Sequence, residues 1–96
     1  MQCNSFEFTR HAVFKMFERG ITIPDVKEAV QNGVIIKSYP EDKPYPSYLM
    51  LHSINNRPIH IVISMNSKSN ICTIVTAYEP SPELWENDFK TKKKRK

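Results

Sequence analysis

Ninety-six residues can supply one hydrophobic core and not two, because a chain of this size buries only about two-thirds of its unfolded surface. With 40% hydrophobic and 25% charged residues, and five Phe, four Tyr and one Trp, the composition excludes a disordered chain. The formal charge of +4 is concentrated at the C-terminus in Lys90, Lys92, Lys93, Lys94, Arg95 and Lys96, so overall basicity does not by itself point to nucleic acid.

No apolar run approaches the roughly 18 to 20 residues that cross a bilayer, and the N-terminus lacks the basic-then-apolar layout of a signal peptide. A cytoplasmic protein without a membrane partner is expected. Cys3 and Cys72 form no Cys-x-x-Cys motif and are too few for a disulfide framework, so two reduced thiols are expected.

The first periodic segment starts at Thr9, a suitable N-cap, and runs from Arg10 to Arg19 before Gly20. Ala12, Val13, Phe14, Met16 and Phe17 cover one broad arc expected to meet the core, with His11, Lys15, Glu18 and Arg19 opposite. Thr22 caps a second short helix in which Pro24 and Asp25 suit the first turn and Ile23, Val26, Ala29 and Val30 recur at helical spacing. Gly33 supplies its stop.

From Val34 the periodicity changes. Val34–Tyr39, Tyr48–Ile54, Arg57–Met65 and Ile71–Tyr78 read as four strands, which makes the fold α+β, with two helices packed on a four-stranded, mainly antiparallel sheet. Pro40, Pro44 and Pro46 make the first connection an extended loop. Asn55-Asn56 fits a two-residue hairpin turn that pairs Ile54 with Arg57 and Leu51 with His60. Asn66–Asn70, taken as a five-residue loop, pairs Met65 with Ile71 and His60 with Thr76. In that register Met50, Ile59, Ile61, Ile63, Ile71, Val75 and Ala77 face the helices, while His60, Val62, Cys72, Ile74, Thr76 and Tyr78 face away. A short helix near Pro82 would close Leu84, Trp85 and Phe89 over the sheet. A single domain over 1–90 is expected, followed by a basic disordered tail over 91–96.

The strings Phe8-Thr-Arg-His-Ala12, Glu18-Arg-Gly20, Asn32-Gly33, Tyr39-Pro-Glu-Asp-Lys-Pro-Tyr-Pro-Ser47, Arg57-Pro-Ile-His60 and Tyr78-Glu-Pro80, with Trp85, resemble domain-of-unknown-function family 4258 over nearly the whole chain. That family is in turn distantly similar to the RelE and BrnT ribonuclease toxins. The resemblance implies a toxin-like fold that meets RNA on the sheet face away from the helices. It also implies an antitoxin partner for some members, sometimes a small zinc-finger protein.

Metal-free RNA cleavage needs a base for the 2′-hydroxyl, cations for the phosphate and a proton for the leaving oxygen. His60, Tyr78 and His11 are the candidate acid–base groups, and Arg57, Arg19 and Arg10 the candidate phosphate ligands. Each has a plain structural reading beside the chemical one: a locally bonded sheet histidine for His60, a helix-surface residue for His11, a C-terminal dipole partner for Arg19. No short metal-ligand spacing and no glycine-rich phosphate loop occur, so no cofactor is expected. The expected function is an RNA-directed module, with a metal-independent ribonuclease of a toxin–antitoxin pair as its active form. The alternative is a noncatalytic protein-interaction or regulatory domain that keeps the fold, binds through the Tyr39–Tyr48 loop or an exposed strand edge, and can form a homodimer.

Overall fold

A computed structural model describes residues 1–94. Its elements are β1 (Ser5–Phe8), α1 (Arg10–Arg19), α2 (Ile23–Asn32), β2 (Val34–Tyr39), β3 (Ser47–Ile54), β4 (Arg57–Asn66) and β5 (Ile71–Tyr78).

The helix ends follow from their side chains. Thr9 Oγ1 accepts the Ala12 N–H at 3.0 Å, and Gly20 closes α1 in the left-handed region at φ 65°. At α2, Thr22 and Asp25 exchange hydrogen bonds of 3.0 and 3.1 Å in a capping box, with Pro24 in the first turn. Gly33 ends α2 for a different reason than a left-handed turn. Its backbone is extended, but a Cβ there would stand 2.4 Å from the Ala29 carbonyl oxygen and 2.7 Å from that of Leu51.

The sheet has five strands in the order β1-β5-β4-β3-β2 and is mixed, which corrects the expected four-stranded count. The added strand is β1, paired in parallel with β5 from Ser5–Ile71 to Phe8–Ile74. Its alternating Ser-Phe-Glu-Phe directs Phe6 and Phe8 to the core. Both helices lie on one face, α1 over β5 and α2 over β3 and β4. Ala12, Met16, Val26, Ala29 and Val30 meet Met50, Ile59, Ile61 and Ile63 there.

The Asn55-Asn56 turn sets the expected β3–β4 register, with both asparagines at positive φ and Ile54 opposite Arg57. The β4–β5 register differs from expectation. Asn66 pairs with Ile71, the loop holds four residues, and Val75 bulges out where the pairing shifts between Val62 and Ile63. The extra residue reverses the faces of the first half of β5, so Cys72 and Ile74 enter the helix-side core while Val75 is exposed. Beyond the bulge His60 stands directly opposite Tyr78, not Thr76.

Two further expectations are corrected. Cys3 and Cys72 are joined in a disulfide across Cα atoms 5.7 Å apart, which β1–β5 pairing makes reachable. Residues 82–84 form a single turn, not a helix, because the Leu84 and Trp85 N–H groups both bond Ser81 O and the chain then reverses. Trp85 bridges to Lys92, and the Lys93 N–H donates to Leu84 O at 2.9 Å. Asp88 receives the N–H groups of Lys90 and Thr91, which holds its carboxyl below the usual range, and Phe89 takes a positive φ of 56° at this turn. Of the tail expected over 91–96, Thr91 to Lys93 thus join a hairpin-like clip, and residues 95 and 96 lie outside the described residues.

Of the arc expected to cover the core, only Ala12 and Met16 do so. Phe17 is 86% exposed, Phe14 60% and Val13 45%. A helix at the end of a layer presents roughly 100° to the sheet, and the apolar arc of α1 is wider than that.

No helix among the described residues is long and apolar enough to cross a membrane.

Candidate functional site

The sheet face turned away from the helices is covered in part by the segment that follows Tyr78. Trp85 sets its ring edge against the His60 imidazole, 4.6 Å between centroids at 87°. His60 is consequently fully buried although it lies on the outer face. Its Nε2 lies 2.7 Å from the Phe89 carbonyl oxygen, which can only accept, so Nε2 carries the proton. Burial lowers the pKa of His60 from its ordinary 6.5, against the raising effect of the Phe89 bond, so the ring is neutral and Nδ1 accepts from the Tyr78 hydroxyl at 3.3 Å. Burial raises the pKa of Tyr78, helped by Tyr39 and opposed by Arg19. Tyr78 therefore remains a phenol at neutral pH and a donor.

Between this clip and strand β2 lies a cleft of about 780 Å³. Arg19, Lys37, Arg57, Lys90 and Lys92 bring five cationic side chains to it, and Tyr39, Tyr78 and Trp85 bring three aromatic rings. Leu49, Ile36 and Leu84 supply apolar wall, and Glu79 is the one carboxylate lining it among the described residues. The volume falls within the range of small-ligand sites, and the combination of flat rings with cations suits a ligand both planar and anionic.

The candidate residues divide in two. His60, Tyr78, Arg57 and Arg19 converge at this cleft or directly beneath it. Arg10 and His11 do not, because they occupy the first turn of α1, about 13 Å along the helix from Arg19. Three of the five N–H groups of Arg57 bond within the protein. Its Nε donates to Glu79 at 2.5 Å, one Nη to Gly20 O at 3.1 Å and the other to Arg19 O at 2.5 Å, so its charge sits on the carbonyl end of α1. Arg19 donates one Nη to Ala77 O at 2.8 Å and keeps the rest of its exposed guanidinium toward the cleft.

Lys37, Tyr39, Glu79, Lys90 and Lys92 were not among the sequence candidates. Lys37 and Tyr39 share one face of β2 at strand spacing, a signal present in the sequence, and Lys37 lies 5.4 Å from the Tyr39 ring centroid. Lys90 and Lys92 belong to a charge run whose backward fold only the Asp88 turn reveals. Among the described residues no three His, Cys, Asp or Glu side chains gather to hold a metal. His52, on the helix side, bonds Glu28 at 3.0 Å and plays no part here.

Comparison with family models gives one match, described as Domain of unknown function (DUF4258), over residues 8–79. No curated protein and no solved structure matches the chain.

Proposed function

The chain belongs to the DUF4258 family, whose description assigns no activity, and we propose from its cleft that it is an RNA-directed module holding one or two nucleotides of a single strand. The observation that carries this is the pairing of five Lys or Arg side chains with three aromatic rings around one 780 Å³ cleft. Bases stack on aromatic faces regardless of sequence, and lysines and arginines neutralise the phosphates between them. Arg19, Lys37, Lys90 and Lys92 are the phosphate ligands in this reading, since the charge of Arg57 is already shared with Glu79 and the carbonyls of Arg19 and Gly20. Arg10 and His11 have no role in it.

The test is titration of a labelled single-stranded RNA at two salt concentrations. Lys90→Ala with Lys92→Ala should weaken binding for every sequence and reduce the salt slope by about 0.7 per lysine removed. No binding at low salt, or an unchanged slope in the double variant, refutes the reading.

Its narrower form is a metal-independent ribonuclease paired with an antitoxin, and the Tyr78–His60 contact supports it. In that step Glu79, the carboxylate lining the cleft, takes the 2′-hydroxyl proton as the 2′-oxygen bonds to phosphorus, Tyr78 turns its single proton from His60 Nδ1 to the leaving 5′-oxygen, Arg19 and the lysines face the phosphate charge, and His60 acts by orienting the phenol. Cleavage in chelator that Tyr78→Phe abolishes would establish it; an intact strand with binding preserved would leave the binding module. The exposed Val13, Phe14 and Phe17 favour a second reading, a noncatalytic domain that docks a protein or a second copy on α1. Sedimentation of the wild type against Phe17→Ser tests that reading.

A further inference from the structure

A wall built for phosphate alone has no use for a carboxylate, since Glu79 repels the anion that the surrounding lysines attract. What a carboxylate can do in such a place is accept a hydrogen bond from a donor on the ligand. Glu79 is also held in position. One of its oxygens receives Arg57 Nε, and Arg57 is anchored in turn on the carbonyls of Arg19 and Gly20. The other oxygen has no hydrogen-bond partner among the described residues, while half of the side chain is exposed. Pro80 beside it is buried and fixes the backbone, and Ser81, one residue on, lines the same wall. The Ser81 hydroxyl oxygen accepts the Glu83 N–H at 3.2 Å, which leaves its proton to donate.

An acceptor oxygen and a hydroxyl donor on one wall match a group that is itself donor and acceptor. The ribose 2′-hydroxyl is that group, and it is what separates RNA from DNA. A guanine Watson–Crick edge would present two donors in parallel and ask for both carboxylate oxygens, one of which already accepts from Arg57, and an inosine strand, which lacks one of those donors, separates the two cases.

We propose that Glu79 is the residue by which this cleft distinguishes ribose from deoxyribose, accepting the 2′-hydroxyl on its free oxygen while Ser81 donates to the same group. The proposal rests on the RNA-directed reading of the cleft.

The experiment measures fluorescence anisotropy of the full chain with four labelled oligonucleotides of one mixed sequence: RNA, DNA, 2′-O-methyl RNA, and RNA with inosine in place of guanosine. The wild type should prefer RNA over DNA by roughly tenfold, the scale of one hydrogen bond to a charged acceptor. The 2′-O-methyl strand, which has lost the donor, should bind like DNA, and the inosine strand like RNA. Glu79→Gln should tighten all four by removing a negative charge and should narrow the RNA preference. Equal wild-type affinity for RNA and DNA overturns the proposal while leaving a nucleic-acid cleft in place, as does an RNA preference that survives in Glu79→Gln or vanishes with inosine. Failure to bind any of the four refutes the underlying RNA reading itself, and the wild-type arms need no variant to fold.

Discussion

His60 is a latch, and its replacement by alanine tests that role directly. The substitution removes the Nε2–H that satisfies the part-buried Phe89 carbonyl, the acceptor of the Tyr78 hydroxyl, and two edge-to-face contacts, with Trp85 at 4.6 Å and Tyr78 at 5.3 Å. Loss of a hydrogen bond to a part-buried carbonyl costs about 1 kcal/mol, and each ring pair contributes about 0.5 to 1.5 kcal/mol. His60→Ala should therefore lose about 3 kcal/mol, a large part of the 5 to 15 kcal/mol typical of a domain. Trp85 is the only tryptophan in the chain, so its emission reports on the clip, while circular dichroism in urea reports on the whole fold. The expected result is a lower urea midpoint together with a red-shifted Trp85 emission before any denaturant is added. A loss under 1 kcal/mol with unchanged emission would refute the latch. Where the emission does shift, a loss of RNA affinity in this variant follows from the displaced clip and does not identify His60 as a base.

Stability should also depend on pH through the same ring. The unfolded histidine takes up a proton near 6.5 and the buried one only at lower pH, so the contribution is complete above 6.5 and is lost as pH falls below it, by at most about 1.4 kcal/mol per unit; urea midpoints at pH 7.5 and 5.5 should differ less in His60→Ala. Gly33→Ala should cost about 1 to 3 kcal/mol by thermal or urea unfolding, since both oxygens met by the new Cβ belong to backbone and cannot swing away. Phe17→Ala should change stability by less than about 0.5 kcal/mol whereas Met16→Ala should lose about 2 to 5, a contrast that inverts if α1 is rotated from its described setting. Reducing the Cys3–Cys72 disulfide, which closes a loop of sequence separation 69, should lower stability by up to about 4 kcal/mol, and a Cys72→Ser variant insensitive to reductant controls for it.

Local signals in the sequence carried furthest where the chain itself closes the geometry. Thr9, Thr22 and Gly20 cap as their types require, and Asn55-Asn56 fixes the β3–β4 register residue by residue. Non-local pairing was less legible. β1 has the alternation of a strand, but four residues are too few to stand apart until β5 is placed beside them. The Val75 bulge leaves no mark in composition, and it alone decides that Cys72 and Ile74 are core. At the site, His60, Tyr78 and Arg57 were found as neighbours for a reason other than the one inferred. Facing away from the helices suggests exposure, yet the Trp85 clip buries the histidine, and Arg57 reaches around to α1.

The family match stops at Glu79, and the clip begins where it stops. Arg19, Lys37, Tyr39, Arg57, Tyr78 and Glu79 lie inside the shared stretch, whereas Trp85, Lys90 and Lys92 lie beyond it. The cleft thus joins a floor inside the matched stretch to a wall that lies beyond it. Exchanging residues 80–94 should change what the cleft accepts while leaving the helix-side core intact, so affinity and fold can diverge separately.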